Sequence, residues 1–229
     1  MSHFDFQNGE VLLFDKPLEW TSFDVVNKVR FILKHSAGIE KIKVGHAGTL
    51  DPLATGLLVV CTGKMTKQIN DLTLLDKEYT GVITLGATTP SYDLETEFNR
   101  SFRVHHITPG MIEETARKFT GKIFQKPPIY SAKKIKGKKA YQYARESLSL
   151  KMKPKEVEIQ EFEITGIDMP DISFRVSCSK GTYIRSLAHD FGKALKSGAH
   201  LSQLRRTRVG EYNISDAINL EQFEFIVEN

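Results

Sequence analysis

The order of strand-like and helix-like segments predicts an α+β protein. Strand signals recur at wide, irregular intervals with helices among them in mixed order, which argues against a regular parallel repeat. The clearest strand is ISFRVSCS, which sets Ile172, Phe174, Val176 and Cys178 on one face and Ser173, Arg175, Ser177 and Ser179 on the other. The clearest helix is TPGMIEETARKFTG, with Thr108 as cap, Pro109 in the first turn and Gly121 past the last.

The remaining elements follow in chain order. EVLLFD reads as a short strand. SFDVVNKVRFILKH places Val25, Val29, Ile32 and Leu33 on one helical stripe, with Ser22 as the expected cap. KIKVGH leads as a strand into a glycine loop, GLLVVCTG leaves it as a buried strand, and EYTGVITLG is a third. A lysine-rich segment bounded by Pro127, Pro128 and Pro154 carries an expected helix through AYQYARESL, in which Tyr141 and Tyr143 read as packing residues. GTYIRSLAHDFGKAL is a helix with Ile184, Leu187, Ala188, Phe191 and Leu195 inward. His189 and His200 read as structural, on a helix surface and in a turn, and NLEQFEFIVE makes a short terminal helix.

With 229 residues the chain can bury one large core or two small ones, and 40% hydrophobic with 26% charged residues is a soluble composition. The N-terminus MSHFDFQNGEVLLFDKP has acids where a signal peptide needs bases, and no run of about 18 apolar residues occurs, so a cytoplasmic protein without membrane contact is expected. Cys61 and Cys178 sit in apolar strands without a CxxC, as buried free thiols do. Between Lys133 and Lys155 eight lysines and one arginine face one glutamate, a local +8. Since the whole chain carries +4, the rest carries −4. A basic insertion on a mildly acidic body suits a polyanion contact, although a solvated lysine-rich loop would share its composition.

Several chemistries are disfavoured. Gly56 to Lys64 has six residues before GK where a phosphate loop has four, with Met65 in place of the magnesium-binding hydroxyl, and no GxGxxG follows a strand. The seven histidines form no HxxxH or HExxH pair, and His105-His106 reads as a surface pair, so no metal is expected. A glycosidase needs two carboxylates, and the loop GHAGTLDPLATG offers one, Asp51, ahead of Pro52. The proline biases Asp51 toward an extended pose. An isolated carboxylate gains nothing from burial, whereas a guanidinium at contact distance contributes on the order of 4 kcal/mol at an effective dielectric of 20. Arg185, at a strand-helix junction, is one candidate, and an arginine capping loop carbonyls is the alternative.

GHAGTLDPLATGLLVV resembles the catalytic motif of the bacterial tRNA pseudouridine synthase B (TruB) family. DKPLEWTS, KEYTGVITLGATTPSYD, KPPIYSAKKIKGKKAYQYARE, SKGTYIRSLAHDFG and GAHLSQLRRTRVG resemble its other motifs in the same order, covering about residues 10 to 210. The resemblance implies a pseudouridine synthase catalytic fold with a mixed, mainly antiparallel central sheet flanked by helices. It implies a single catalytic domain over residues 1–229 with a thumb-like basic insertion at 125–155. The reaction implied is isomerisation of uridine 55 in the tRNA T loop, without cofactor or metal. By resemblance Asp51 is the catalytic aspartate, Tyr79 stacks on the target base and Arg185 partners Asp51. His46, Tyr183 and Leu204 bind substrate, with His46 aiding its positioning, and Lys16, Lys133, Lys134 and Lys138 hold RNA.

The implied chemistry suits the residues. Moving a glycosidic bond from N1 to C5 is redox-neutral and consumes no water. Extruding the base costs a few kcal/mol, and stacking on tyrosine returns roughly 1–3 kcal/mol. Whether Asp51 attacks C1′, attacks C6 or removes a C2′ proton is left open by the sequence. If Tyr183 and Arg185 both face Asp51, the strand from Ile172 has to stay extended to about Arg185, where the helix begins. Glu19 replaces the usual glycine of the first motif, so the turn there is expected to be made differently, with Trp20 packing across it. The C-terminal PUA domain of many members is expected to be absent or vestigial. That favours a stand-alone monomer over the guide-RNA-dependent relatives that work with partner proteins. A non-catalytic tRNA-binding or RNA-folding protein on the same fold is the alternative function.

Overall fold

The structure is a computed structural model that describes residues 4–131, the backbone of 134–135 and 138–139, residue 143, and residues 152–229. In chain order the elements are β1 (Val11–Lys16), α1 (Ser22–His35), β2 (Val44–His46), β3 (Ala54–Thr62), a 3-10 helix (Gly63–Gln68), α2 (Ile69–Leu74) and β4 (Lys77–Leu85). Then come β5 (Ala87–Thr88), β6 (Arg100–Ser101), α3 (Pro109–Lys118), β7 (Gly121–Gln125), β8 (Lys134–Ile135), β9 (Lys138–Lys139), β10 (Lys155–Asp168) and β11 (Asp171–Cys178). The chain closes with α4 (Ile184–Ala194), β12 (Ala199–Val209), β13 (Tyr212–Asn213), a 3-10 turn (Ile214–Asp216) and α5 (Leu220–Glu228). The α+β class is as the sequence predicts. The helix expected through AYQYARESL lies outside the described residues, apart from Tyr143.

The chain forms two compact units, one of Met1–Tyr79 with Leu204–Asn229 and the other of Thr80–Gln203. In the first, the strand order is β1-β3-β12. β1 and β2 pair antiparallel with β3, and β12 pairs parallel with it, Leu204 opposite Ala54 and Arg206 opposite Gly56. β3 is buried along nearly its whole length, as a strand covered on both faces must be. Its Leu58 and Val60 join Val25, Val29, Ile32 and Leu33 of α1, together with Phe14 and Phe223, in one cluster. The alternate residues Leu57 and Val59 pack with Ala47 and Val209 in another.

α1 starts one residue earlier in its capping than expected. Thr21 is the N-cap, its side chain accepting from the Asp24 amide while Asp24 reaches back to the Thr21 amide. Ser22 is buried and serves elsewhere. At Gly56, φ is +100°, and an added Cβ would lie 2.3 Å from the Arg206 carbonyl oxygen, so only glycine lets β12 approach β3 there.

The second unit runs β4-β11-β10-β7, antiparallel between β11 and β10 and between β10 and β7. The alternation read in ISFRVSCS holds, with Ile172, Phe174, Val176 and Cys178 all at most 1% exposed. Phe162 meets Phe174 and Phe191 edge-on, which seats α4 on β10 and β11. Thr108 caps α3 with Pro109 in its first turn. The helix begins next to Arg185 as expected, but the strand does not stay extended up to it. β11 ends at Cys178, Gly181 turns at φ +77°, and α4 begins at Ile184 with Tyr183 as N-cap. His200 is no turn residue either: it is 3% exposed within β12.

Candidate active site

The glycine loop of the first unit is anchored on both sides of Asp51. The Ser22 hydroxyl accepts from the Leu50 amide (2.8 Å) and donates to the Leu50 carbonyl (3.1 Å), so the residue before Asp51 is fixed by one side chain. On the other side the Pro52 carbonyl accepts from the Glu19 amide (2.9 Å) and from the Lys16 ammonium (3.3 Å). The Asp51 carbonyl accepts from the Ala54 amide (3.0 Å), which closes the turn around Pro52. Asp51 itself is half-buried.

Glu19 makes the turn of the first motif in the left-handed region that favours glycine: its φ is +66°. The backbone takes the left-handed pose at the strain a Cβ brings there, and the Glu19 amide bonded to Pro52 holds it. Trp20 contributes its carbonyl, which accepts from Lys16 at 2.6 Å.

Lys16 departs from its expected role in substrate binding. It is fully buried, and its ammonium donates to the carbonyls of Pro17 (2.8 Å), Trp20 and Pro52. An ammonium has three protons, and three carbonyls take them. Lys16 therefore ties the first motif to the Asp51 loop from inside. Burial pushes its pKa down to about 8, Asp51 opposes that, and Arg206 adds to it. The coupling between Lys16 and Asp51 is mutual and favours the ionised carboxylate.

Arg206 is 1% exposed, with Nε donating to the Leu57 carbonyl (2.7 Å) and Nη2 to the Gly48 carbonyl (3.1 Å). It thus spans the loop's entry and the strand that leaves it. With burial as the larger cause, it also lowers the pKa of His46, which keeps that imidazole neutral at pH 7. The register between β12 and β3 sets Leu204 opposite Ala54, three residues past Asp51. Tyr79, on β4, is 9% exposed.

In the second unit, Tyr183 and Arg185 are positioned by buried polar groups. Gln125 accepts from the Tyr183 amide (2.7 Å) and donates to its carbonyl (3.0 Å), a reciprocal clamp that fixes the start of α4. Arg185 is 4% exposed. Its Nη1 donates to the Ser91 carbonyl (3.0 Å), its Nη2 to the Tyr130 carbonyl (2.8 Å), and its Nε lies 3.5 Å from Asp93 Oδ2. Within its unit, Arg185 is thus both an arginine on loop carbonyls and the partner of a carboxylate, Asp93.

Lys133 lies outside the described residues, and Lys134 and Lys138 are described through their backbone in the β8-β9 pair. The first unit has a basic surface of its own. Lys41, Lys43, Lys64 and Lys67 line a cavity of about 360 Å³ beside the 3-10 helix. Sequence charge counting missed it because these lysines are spread over 27 positions, with the apolar strand β3 between the two pairs. No cluster of three or more metal-ligating side chains occurs among the described residues.

Residues 34–184 match the TruB family pseudouridylate synthase N-terminal domain, and residues 185–228 match the tRNA pseudouridylate synthase B C-terminal domain. The chain belongs to the TruB family. Among curated members, the tRNA pseudouridine synthase B of Flavobacterium johnsoniae is 55% identical over 96% of both chains. That of Phocaeicola vulgatus is 52% identical over 96% of this chain and 93% of its own. Among solved structures, a Cbf5-Nop10-Gar1 complex superposes with TM-score 0.71 at 30% identity, over 96% of this chain and 54% of the matched one. An H/ACA RNP bound to a substrate RNA containing 2′-deoxyuridine gives 0.69 at 29%, over 96% and 53%. The chain thus spans about half the length of those two solved chains. Four buried groups that hold candidate residues within their own units escaped the sequence reading as such: Ser22 and Arg206 in the first unit, Gln125 and Asp93 in the second. Ser22, Arg206 and Asp93 stand inside quoted motifs, which was the available signal.

Proposed function

We propose that this chain isomerises uridine 55 in the T loop of tRNA to pseudouridine, with Asp51 as the catalytic carboxylate. The observation that carries the reading is the anchoring of Asp51: Ser22 holds Leu50, and Lys16 and Glu19 hold Pro52, a rigidity that an ordinary surface turn does not need. Family membership and relatives called tRNA pseudouridine synthase B at 52–55% identity support the substrate. In this reading the everted uridine stacks on Tyr79, and Tyr183 and Leu204 are substrate-binding residues. Arg185, paired within its unit with Asp93, is the guanidinium assigned to the reaction. His46, whose pKa burial lowers, engages the RNA loop and aids its positioning. Lys133, Lys134 and Lys138 hold the RNA backbone, and the Lys41–Lys67 cavity suits a second phosphate contact. The enzyme acts in the cytoplasm as a monomer, without a partner protein. No helix among the described residues is long and apolar enough to cross a membrane.

Tritium release from C5-labelled uridine in a T-stem-loop tests reaction and substrate together. Asp51→Asn keeps RNA binding and abolishes release. If Asp51→Asn releases tritium at the wild-type rate, the reading is wrong. If wild type binds the RNA without releasing tritium, the non-catalytic alternative takes its place.

A further inference from the structure

Arg185 is held on one side by residues that flank a third. Ser91 and Asp93 supply two of its three described anchors, and between them stands Tyr92, at φ +67°. That conformation is disfavoured for any side chain with a Cβ, so a tyrosine persists there only if its surroundings hold it. The Tyr92 ring does have a holder. It stacks on His189 with centroids 4.0 Å apart and planes 18° from parallel. His189 lies four residues after Arg185 on α4, one turn further along the same face. Helix α4 therefore grips residues 91–93 twice, through the guanidinium and through the imidazole. The Tyr92 carbonyl accepts from the Leu201 amide (2.9 Å), which fixes the far side of the same segment.

We infer that the Tyr92–His189 stack is a positioning clamp that sets the Arg185 guanidinium for the reaction. Neither ring is a catalytic residue; both act through Ser91, Asp93 and Arg185. The inference rests on the role proposed above for Arg185. A ring of similar shape at 92 keeps the clamp, while loss of either ring lets residues 91–93 shift. A misplacement near 1 Å at a catalytic group lowers turnover by about 100-fold.

The test compares wild type, Tyr92→Phe, Tyr92→Gly, His189→Ala and the double variant Tyr92→Gly/His189→Ala on a C5-tritiated T-stem-loop. All assays run well below each protein's Tm. Glycine accepts φ +67°, so Tyr92→Gly removes the ring without leaving backbone strain. The clamp predicts kcat about 10- to 100-fold lower for Tyr92→Gly and for His189→Ala, with KM within about twofold. It also predicts near-wild-type kcat for Tyr92→Phe, and a double variant no worse than the poorer single one. Wild-type kcat in either ring-loss variant overturns it. So does a raised KM at unchanged kcat, which would put the rings on the RNA, and so do additive losses. A readout independent of activity is the Nε–H resonance of Arg185 in ¹⁵N-arginine-labelled protein. The clamp predicts a sharp, exchange-protected signal in wild type and Tyr92→Phe, broadened in Tyr92→Gly and His189→Ala. If wild type converts no RNA, the functional reading fails while this signal still decides the clamp.

Discussion

Ser22→Ala isolates the anchoring of the Asp51 loop with the smallest change available. The substitution removes one oxygen and adds no atom, so overpacking does not enter. Leu50, 3% exposed, loses the partner of its amide and one partner of its carbonyl. A buried donor left unsatisfied costs about 1–3 kcal/mol, and the carbonyl adds less, for a total of about 2–3 kcal/mol. For a chain of this size that lowers Tm by about 5–10 °C. Trp20, the one tryptophan of the chain, lies in the same unit and reports its unfolding by fluorescence. Leu50 precedes Asp51, so the released backbone also blurs the carboxylate, and kcat on a T-stem-loop falls by about 10- to 100-fold at well below Tm. RNA affinity is expected to stay within about twofold. A Ser22→Ala protein with wild-type Tm and kcat would show that the two hydrogen bonds neither support the loop nor aim Asp51.

Three further outcomes follow from the same geometry. At Glu19, φ +66° suits glycine, so Glu19→Gly changes stability by no more than about 1 kcal/mol, relief of strain offsetting the greater freedom of the unfolded chain. The β-branched Glu19→Val destabilises by about 1–2 kcal/mol, both read by denaturant titration. Lys16 is lowered from 10.5 to about 8 by burial, so from about pH 8 to 10.5 the unfolded chain holds a proton the folded one has lost. In that window this residue makes stability rise with pH, while Asp51 loses a neighbouring cation. Wild-type kcat is therefore expected to fall through about pH 8 without a parallel fall in Tm, and Lys16→Met to show a low kcat with no step there. Replacing Lys133, Lys134 and Lys138 with glutamine lowers tRNA affinity and flattens the log-log salt slope by up to about two units. An unchanged slope would remove those lysines from the RNA contact.

The sequence by itself determined whatever repeats over short distances. The alternation of Ile172 to Cys178, the stripe of Val25 to Leu33 and the ends of the helix at Thr108 are local patterns, because side-chain direction follows backbone period. The motif around Asp51 named the chemistry for the same reason, as residue types in a fixed order. What each polar side chain holds was decided only by the tertiary structure. Ser22 reads as a helix cap and is a loop anchor because Leu50, 28 positions away, arrives with an amide and a carbonyl in need of partners. Lys16 reads as an RNA contact and is buried because three carbonyls converge on it, one from Pro52, 36 positions away. Gln125 finds Tyr183 across 58 positions, and Arg206 finds Leu57 across 149. Buried backbone polar groups have to be satisfied by whichever donor or acceptor the fold brings near, and that choice has no period in the sequence.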